Sequence, residues 1–218
     1  TSHQFVSQEI AKMLGRDDLK QIVLHLGNGA SASAVRCGKP IDTSMGLTPL
    51  EGLMMGTRTG DIDPAVVFHL ERVAGMSVGE VDTLFNKKSG MKGMTGESDM
   101  RSVWAMIDND DDPVAQKRAR TAMDVYVNRL VKYVGSYTAE LGGLDVITFT
   151  AGIGENDVHV RRELAEALSP FGVKIDVEAN KARSGEPRVI SAPDSTVELV
   201  VFPTNEELAI ARQALAFA

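Results

Sequence analysis

Ile22-Val-Leu-His-Leu26 runs directly into Gly27-Asn-Gly-Ala-Ser31, and Val146-Ile-Thr-Phe-Thr150 runs directly into Ala151-Gly-Ile-Gly-Glu-Asn156. Each is a short apolar run of strand composition closed by glycines. A turn built on glycine lets backbone N–H groups approach an anion with no side chain in the way. Two such turns at strand ends are what a phosphate-binding α/β protein needs. Between them stands Thr57-Arg-Thr-Gly-Asp-Ile-Asp-Pro64.

The rest of the chain mixes strand and helix signals. Residues 3–14 place Phe5, Val6, Ile10, Met13 and Leu14 at helical spacing, with Gly15 as the stop. Residues 31–35 predict a second strand, joined to the first by a hairpin turn at Gly27-Asn-Gly29, and 40–44 predict a third. Residues 45–63 have no clear period and read as a long loop. Helices are expected over 64–74 and 78–87, a loop over 89–98, and a short helix from Asp99. The acidic run 108–112 reads as a solvated loop whose last Asp caps the next helix, without the spacing of a calcium loop. Apolar residues at three- and four-residue steps then predict one long amphipathic helix over 114–141, ended by Gly142-Gly143. A helix over 157–168, short strands and polar loop over 173–191, and a last strand over 197–202 follow. A last helix is expected over 205–217, opened by the capping box Thr204-Asn-Glu-Glu207. The order predicts an α/β fold with a mixed sheet covered by helices.

The 218 residues, 43% of them hydrophobic, suffice for one large domain or a domain with a subdomain. The net charge is −7, and no Lys/Arg run exceeds two residues, which speaks against nucleic acid or an anionic membrane as partner. A single cysteine, Cys37, rules out an internal disulfide framework and suits a reducing cytosol. No apolar run approaches the roughly 20 residues of a bilayer span. The opening Thr1-Ser-His-Gln-Phe5 is no signal peptide and has no initiator Met, which fits a fragment.

Each candidate site residue has a bland reading beside the chemical one. Gly27-Asn-Gly29 alone is a tight turn or a phosphate loop. His25 shares a strand face with Val23. It is a hydrogen-bonded structural residue or, beside a phosphate turn, a donor to a transferring phosphoryl oxygen. Gly152-Ile-Gly-Glu-Asn156 is neither a Walker loop nor a dinucleotide fingerprint, yet it stands at the carboxyl end of a strand, where open α/β sheets bind ligands. Arg58 is a salt-bridge partner for Asp61 or Asp63, or it neutralises phosphoryl oxygens. Glu207 serves the first turn of its helix, which leaves Glu206 free for Mg²⁺. The methionines, Met54 and Met55 among them, read as core and loop filler.

Taken in order, these stretches resemble the acetate kinases, the acetokinase branch of the superfamily of actin, sugar kinases and heat-shock ATPase domains. The resemblance is carried by Thr1-Ser-His3, His25 to Ser31, Thr43-Ser-Met-Gly-Leu-Thr-Pro-Leu-Glu-Gly52, Gly56 to Pro64, Asn86-Lys-Lys-Ser-Gly90, Thr150 to Asn156 and Pro203-Thr-Asn-Glu-Glu-Leu208. It implies a ribonuclease-H-like, actin-like ATPase domain, and it covers only the family's C-terminal domain, residues 1–218, without the N-terminal one. It implies catalytic roles at the phosphoryl group for His25, Arg58 and His3. Nucleotide contacts are implied for Asn28, Gly29, Asp99, Arg101, Gly152, Ile153, Gly154, Glu155 and Asn156, and a Mg²⁺-orienting role for Glu206. Met100 stands where many relatives carry an aromatic residue, which touches only the packing of the adenine. The implied reaction is reversible transfer of the ATP γ-phosphoryl to acetate, giving acetyl phosphate and ADP, in a cytoplasmic homodimer. Propionate or butyrate kinase is the alternative, as is a nucleotide-binding fragment without catalysis; the chain alone is expected to be inactive. Independently, Val125, Val127 and Val131 lie off the main stripe of the long helix and suggest a second buried contact.

Overall fold

The computed structural model describes residues 2–204. The helix expected over 205–217, the remainder of its capping box and Glu206 lie outside the described residues. The chain divides into two compact units. Among the described residues, one holds those up to Leu26, Ala32–Thr43 and those from Val131 to Thr204; the other holds Gly27–Ser31 and Ser44–Leu130.

The first unit is built on a six-stranded sheet. Its strands are β1 (Lys20–Leu26), β2 (Ala30–Arg36), β3 (Lys39–Thr43), β4 (Val146–Thr150), β5 (Arg188–Val189) and β6 (Glu198–Val201), in the order β3-β2-β1-β4-β6-β5. β1, β4 and β6 run parallel, while β3 and β5 pair antiparallel to β2 and β6. The sheet is therefore mixed, as expected. Parallel strands are covered on both faces, so they read as unbroken apolar runs. Val23 pairs Thr148, which pairs Val200; one step along, Leu24 pairs Phe149, which pairs Val201. Helix α1 (Ser2–Leu14) lays Val6 and Ile10 over Val23, Val146, Val200 and Phe202. The buried Gln21 amide is held there by Ser7 O at 3.1 Å.

The second unit is helical: α2 (Ala65–Ala74), α3 (Val78–Lys87), α4 (Gly90–Thr95), α5 (Met100–Asn109) and the first part of α6 (Pro113–Leu141). Residues 45–63 form neither helix nor strand, as expected. Ser77 and Glu80 cap α3 reciprocally, and Asp112 Oδ1 caps α6 by accepting from Val114 N at 2.9 Å. Gly142 and Gly143, at φ 67° and 126°, end α6 with Gly143 N bonded to Thr138 O. Met54, Met55, Met91 and Met123 are buried, which makes these methionines core filler.

Three expectations need correction. Residues 89–98 are not all loop: Gly90–Thr95 is helical because Met91 N and Lys92 N, amides of its first turn, find Met55 O and Gly56 O. Residues 152–156 are not an open glycine turn either. They belong to a helix, α7 (Ala151–Asn156), whose entry turn is made by Ala151 at φ +66° rather than by a glycine. Within 173–191 a short helix, α9 (Val177–Lys181), accompanies the strand pieces, capped by Asp176 Oδ1. Helix α8 (Val158–Ala167) follows α7, capped by Asp157.

Candidate active site

In the helical unit the loop 27–29 and the loop 55–60 are one construction. Gly27 N donates to Gly29 O, and Gly56 N donates to Asn28 O, each at 2.9 Å. Neither Gly27 nor Gly29 has positive φ. Glycine is required here by proximity instead. A Cβ on Gly29 would stand 3.3 Å from Arg58 Nη1, and one on Gly56 would overlap Asn28 Oδ1. Arg58 is thus brought to Gly29, and its neighbour Gly56 to Asn28.

The alternative for Arg58 was an ion pair with Asp61 or Asp63. The structure gives Asp61 to Arg129 of α6, at 3.1 Å, and Asp61 Oδ1 also accepts from Gly52 N at 2.8 Å. Asp63 Oδ1 accepts from Ala65 N at the start of α2. Arg58 Nη1 contacts only neutral acceptors, Pro49 O at 3.2 Å and Met55 Sδ at 3.7 Å. Among the described residues it has no carboxylate within ion-pair distance. A half-buried guanidinium with no anionic partner among the described residues has its charge-assisted hydrogen bonds left to give.

Asp99 and Arg101 sit together at the start of α5. Asp99 Oδ1 caps the helix through Arg101 N, and Arg101 Nη2 reaches Asp99 Oδ2 at 2.6 Å. The bonds from Arg101 hold the Asp99 carboxyl down at a pKa of about 2. The Arg101 side chain is 91% exposed, so its outer face is open.

In the sheet unit, His25 near the end of β1 pairs Thr150 at the end of β4, on the α1 face. His3 of α1 meets it, ring centroids 6.0 Å apart. Burial, and then the His25 ring, lower the His3 pKa to about 4, so His3 is neutral at pH 7. Helix α7 starts where β4 ends. Gly152 is exposed with nothing near its Cβ position, whereas a Cβ on Gly154 would press on the Phe149 backbone at 3.2 Å. Ile153 is half-buried. Glu155 Oε1 accepts from Thr204 N, and Asn156 Nδ2 turns back to Gly152 O. Only Gly152, therefore, has no evident packing duty.

A model of the acetokinase family matches residues 1–212. This chain belongs to the acetokinase family. It is 54% identical to an acetate kinase of Corynebacterium aurimucosum over 100% of this chain and 53% of that protein. A Porphyromonas gingivalis acetate kinase structure superposes with a TM-score of 0.92 at 41% identity, over 99% of this chain and 53% of the other. A Francisella tularensis propionate kinase gives 0.88 at 41%, over 96% and 52%. The chain spans about half the length of the curated relatives it matches.

Within this acetokinase chain no group of three or more metal-ligating side chains exists among the described residues. The sequence-assigned Glu206 lies outside them. A single carboxylate with substrate phosphates is a common way to hold Mg²⁺, so this is compatible with the ion but supplies no geometry for it. No helix among the described residues is long and apolar enough to cross a membrane.

Two residues of the site's frame were missed in the sequence. Arg129 frees Arg58 by occupying Asp61, and nothing local marks it. Arg161 of α8 is 1% exposed and donates to Gly154 O, Asn180 Oδ1 and Asn180 O at 2.8, 2.8 and 2.9 Å. Burial and the neighbouring Arg188 lower its pKa to about 10, which leaves it charged at neutral pH. Its signal was legible: Arg161 stands on the stripe of Leu164, Ala165 and Leu168, all buried.

Proposed function

We propose that residues 1–218 are the C-terminal, nucleotide-binding domain of an acetate kinase, which together with an N-terminal domain transfers the γ-phosphoryl of ATP to acetate and back. One observation carries the reading. Arg58 lies against the glycine loop 27–29 with no carboxylate partner among the described residues, and Asp61 is engaged by Arg129.

A carboxylate is already a nucleophile. One acetate oxygen attacks the γ-phosphorus, its bond to phosphorus forms, the bond to the bridging oxygen breaks, and ADP leaves with that electron pair. Such a reaction asks for positioning and charge neutralisation more than for a base. We assign Arg58 to the oxygens of the transferring phosphoryl, and His25 to donating a hydrogen bond to one of them. His3, neutral at pH 7, supports His25. Asn28 and Gly29 take nucleotide phosphates. Asp99, Arg101 and residues 152–156 take the adenosine, with Gly152 offering the open approach. Mg²⁺ would accompany the nucleotide and neutralise its phosphate charge, and Glu206 would be the protein carboxylate that orients it. The substrates and the single cysteine fit a reducing cytoplasm.

A homodimer belongs to the same reading, through α2 rather than α6. Of the valines that suggested a contact on α6, Val127 is buried and Val131 half-buried, and only Val125 is exposed. By contrast α2 buries none of its ten residues, and Phe68 and Val73 are 55% and 71% exposed.

Equal identity to an acetate kinase and a propionate kinase, 41% each, favours testing both acyl chains. The experiment is hydroxamate formation from ATP, hydroxylamine and acetate, propionate or butyrate, with calorimetric titration of Mg·ADP. The chain alone should bind Mg·ADP weakly and form no hydroxamate; joined to an N-terminal domain it should form acetyl hydroxamate fastest. No heat at millimolar nucleotide would refute the reading.

A further inference from the structure

We infer that residues 85–92, which run from the end of α3 into α4, are a clamp that positions Arg58, and that the Thr57 hydroxyl is its side-chain tie. The inference rests on the assignment of Arg58 to the transferring phosphoryl group. The motif Asn86-Lys-Lys-Ser-Gly90 has no other role in that assignment.

The residues on either side of Arg58 are both tied to this segment. Thr57 Oγ1 donates to Asn86 O at 3.0 Å, and Ser89 N donates to Thr57 O at 3.0 Å. Thr59 N donates to Phe85 O at 3.1 Å. One step earlier, Met91 N and Lys92 N hold Met55 O and Gly56 O at 3.0 and 2.9 Å, and Met55 N holds Arg58 O at 3.2 Å. Gly56 passes the restraint on through its N–H to Asn28 O.

Gly90 makes this closeness possible. It sits at φ +60°, and a Cβ there would overlap Met55 O and stand 2.7 Å from Arg58 O. Unpaired backbone groups at the end of α3 and the start of α4 need partners in any case. The loop 55–59 supplies them, so two helix ends and the arginine loop complete one another. The backbone at Arg58 is thereby fixed while, among the described residues, its guanidinium donates only to Pro49 O and Met55 Sδ. A charged group held in place before its anion arrives is the arrangement that lowers a phosphoryl-transfer barrier.

The test compares T57V, T57S and R58A in the two-domain enzyme. It measures kcat per folded active site, KM for ATP and acetate, and the melting temperature. T57V removes the hydroxyl at constant shape, and T57S restores it. T57V should lower kcat about ten-fold with KM for ATP within about two-fold, because a small misplacement acts on the transition state. T57S should stay within about two-fold of the parent in both. T57A removes the same hydroxyl with less bulk and gives the same reading should T57V not fold. Wild-type kcat in T57V and T57A, beside a large loss in R58A, overturns the clamp and leaves the assignment of Arg58 standing. So does an equal loss in T57V and T57S. Wild-type kcat in R58A overturns the assignment itself.

Discussion

Arg161→Leu tests how the segment 152–156 is held. Arg161 is buried and supplies donors to three acceptors, Gly154 O, Asn180 Oδ1 and Asn180 O. Asn180 in turn donates from Nδ2 to Val158 O at 2.9 Å, so α7, α8 and α9 share one polar knot. Leucine fills much of the space and donates nothing. Each lost bond from a charged donor is worth about 1.5–3 kcal/mol, and the relieved desolvation of the guanidinium offsets part of the sum. Removing one partner of a buried charged network typically costs about 3–5 kcal/mol, a large share of a stability of about 5–15 kcal/mol. Urea unfolding of R161L, N180L and the double variant measures it. The double should cost less than the sum of the singles by about 1 kcal/mol or more, since Oδ1 leaves together with its donor. R161K should recover less than half of the loss, because one ammonium cannot serve both Gly154 and Asn180. A cost for R161L below about 1 kcal/mol, or strict additivity, would refute the knot.

Further outcomes follow from the same geometry. Gly152→Ala meets open space at ordinary φ, so stability should hold or rise by up to about 1 kcal/mol, while ADP affinity should drop about ten-fold in calorimetry; unchanged affinity removes Gly152 from the site. The pKa of His3 falls from 6.5 to about 4 on folding, so the folded state favours the neutral ring. Its contribution is complete above pH 6.5 and lost as pH falls towards 4, at most about 3 kcal/mol, and His3→Asn should flatten the urea midpoint over that window; an unflattened profile places the titration elsewhere. Phe68→Asp should convert a sedimenting dimer into a monomer, and a parent that is monomeric at high concentration refutes the α2 interface.

How much of this was legible depends on where the stabilising partners lie. The central strands announce themselves as apolar runs because both sheet faces are covered, and α1, α3, α6 and α8 carry their own periodicity or caps. The helices that escaped, α4, α7 and α9, have six, six and five residues. A helix that short has too few turns to show a period, and α4 begins on carbonyls more than thirty positions upstream. The off-stripe valines of α6 misled for a related reason. A stripe read from one helix does not say how many neighbours surround it, and Val127 faces one of them.

The candidate site divides along the same line. Glycines mark places of close approach, but sequence does not say what approaches. Gly29 and Gly56 make room for Arg58 and Asn28, Gly154 makes room for the Phe149 backbone, and Gly152 makes room for nothing among the described residues. The turn that glycine was expected to supply is entered through Ala151 at positive φ, between the strand before it and the helix after it. Arg58 shows the limit most clearly. Locally it has two aspartates within five residues, and the sequence left a structural ion pair and a phosphoryl contact as even alternatives. Against that ion pair stands Arg129, 68 positions from Asp61, which takes that carboxylate; under the proposed function Arg58 then keeps its charge for an external anion. The partner of Asp61 is thus a second arginine distant in sequence, and a local reading of the motif cannot see that competition.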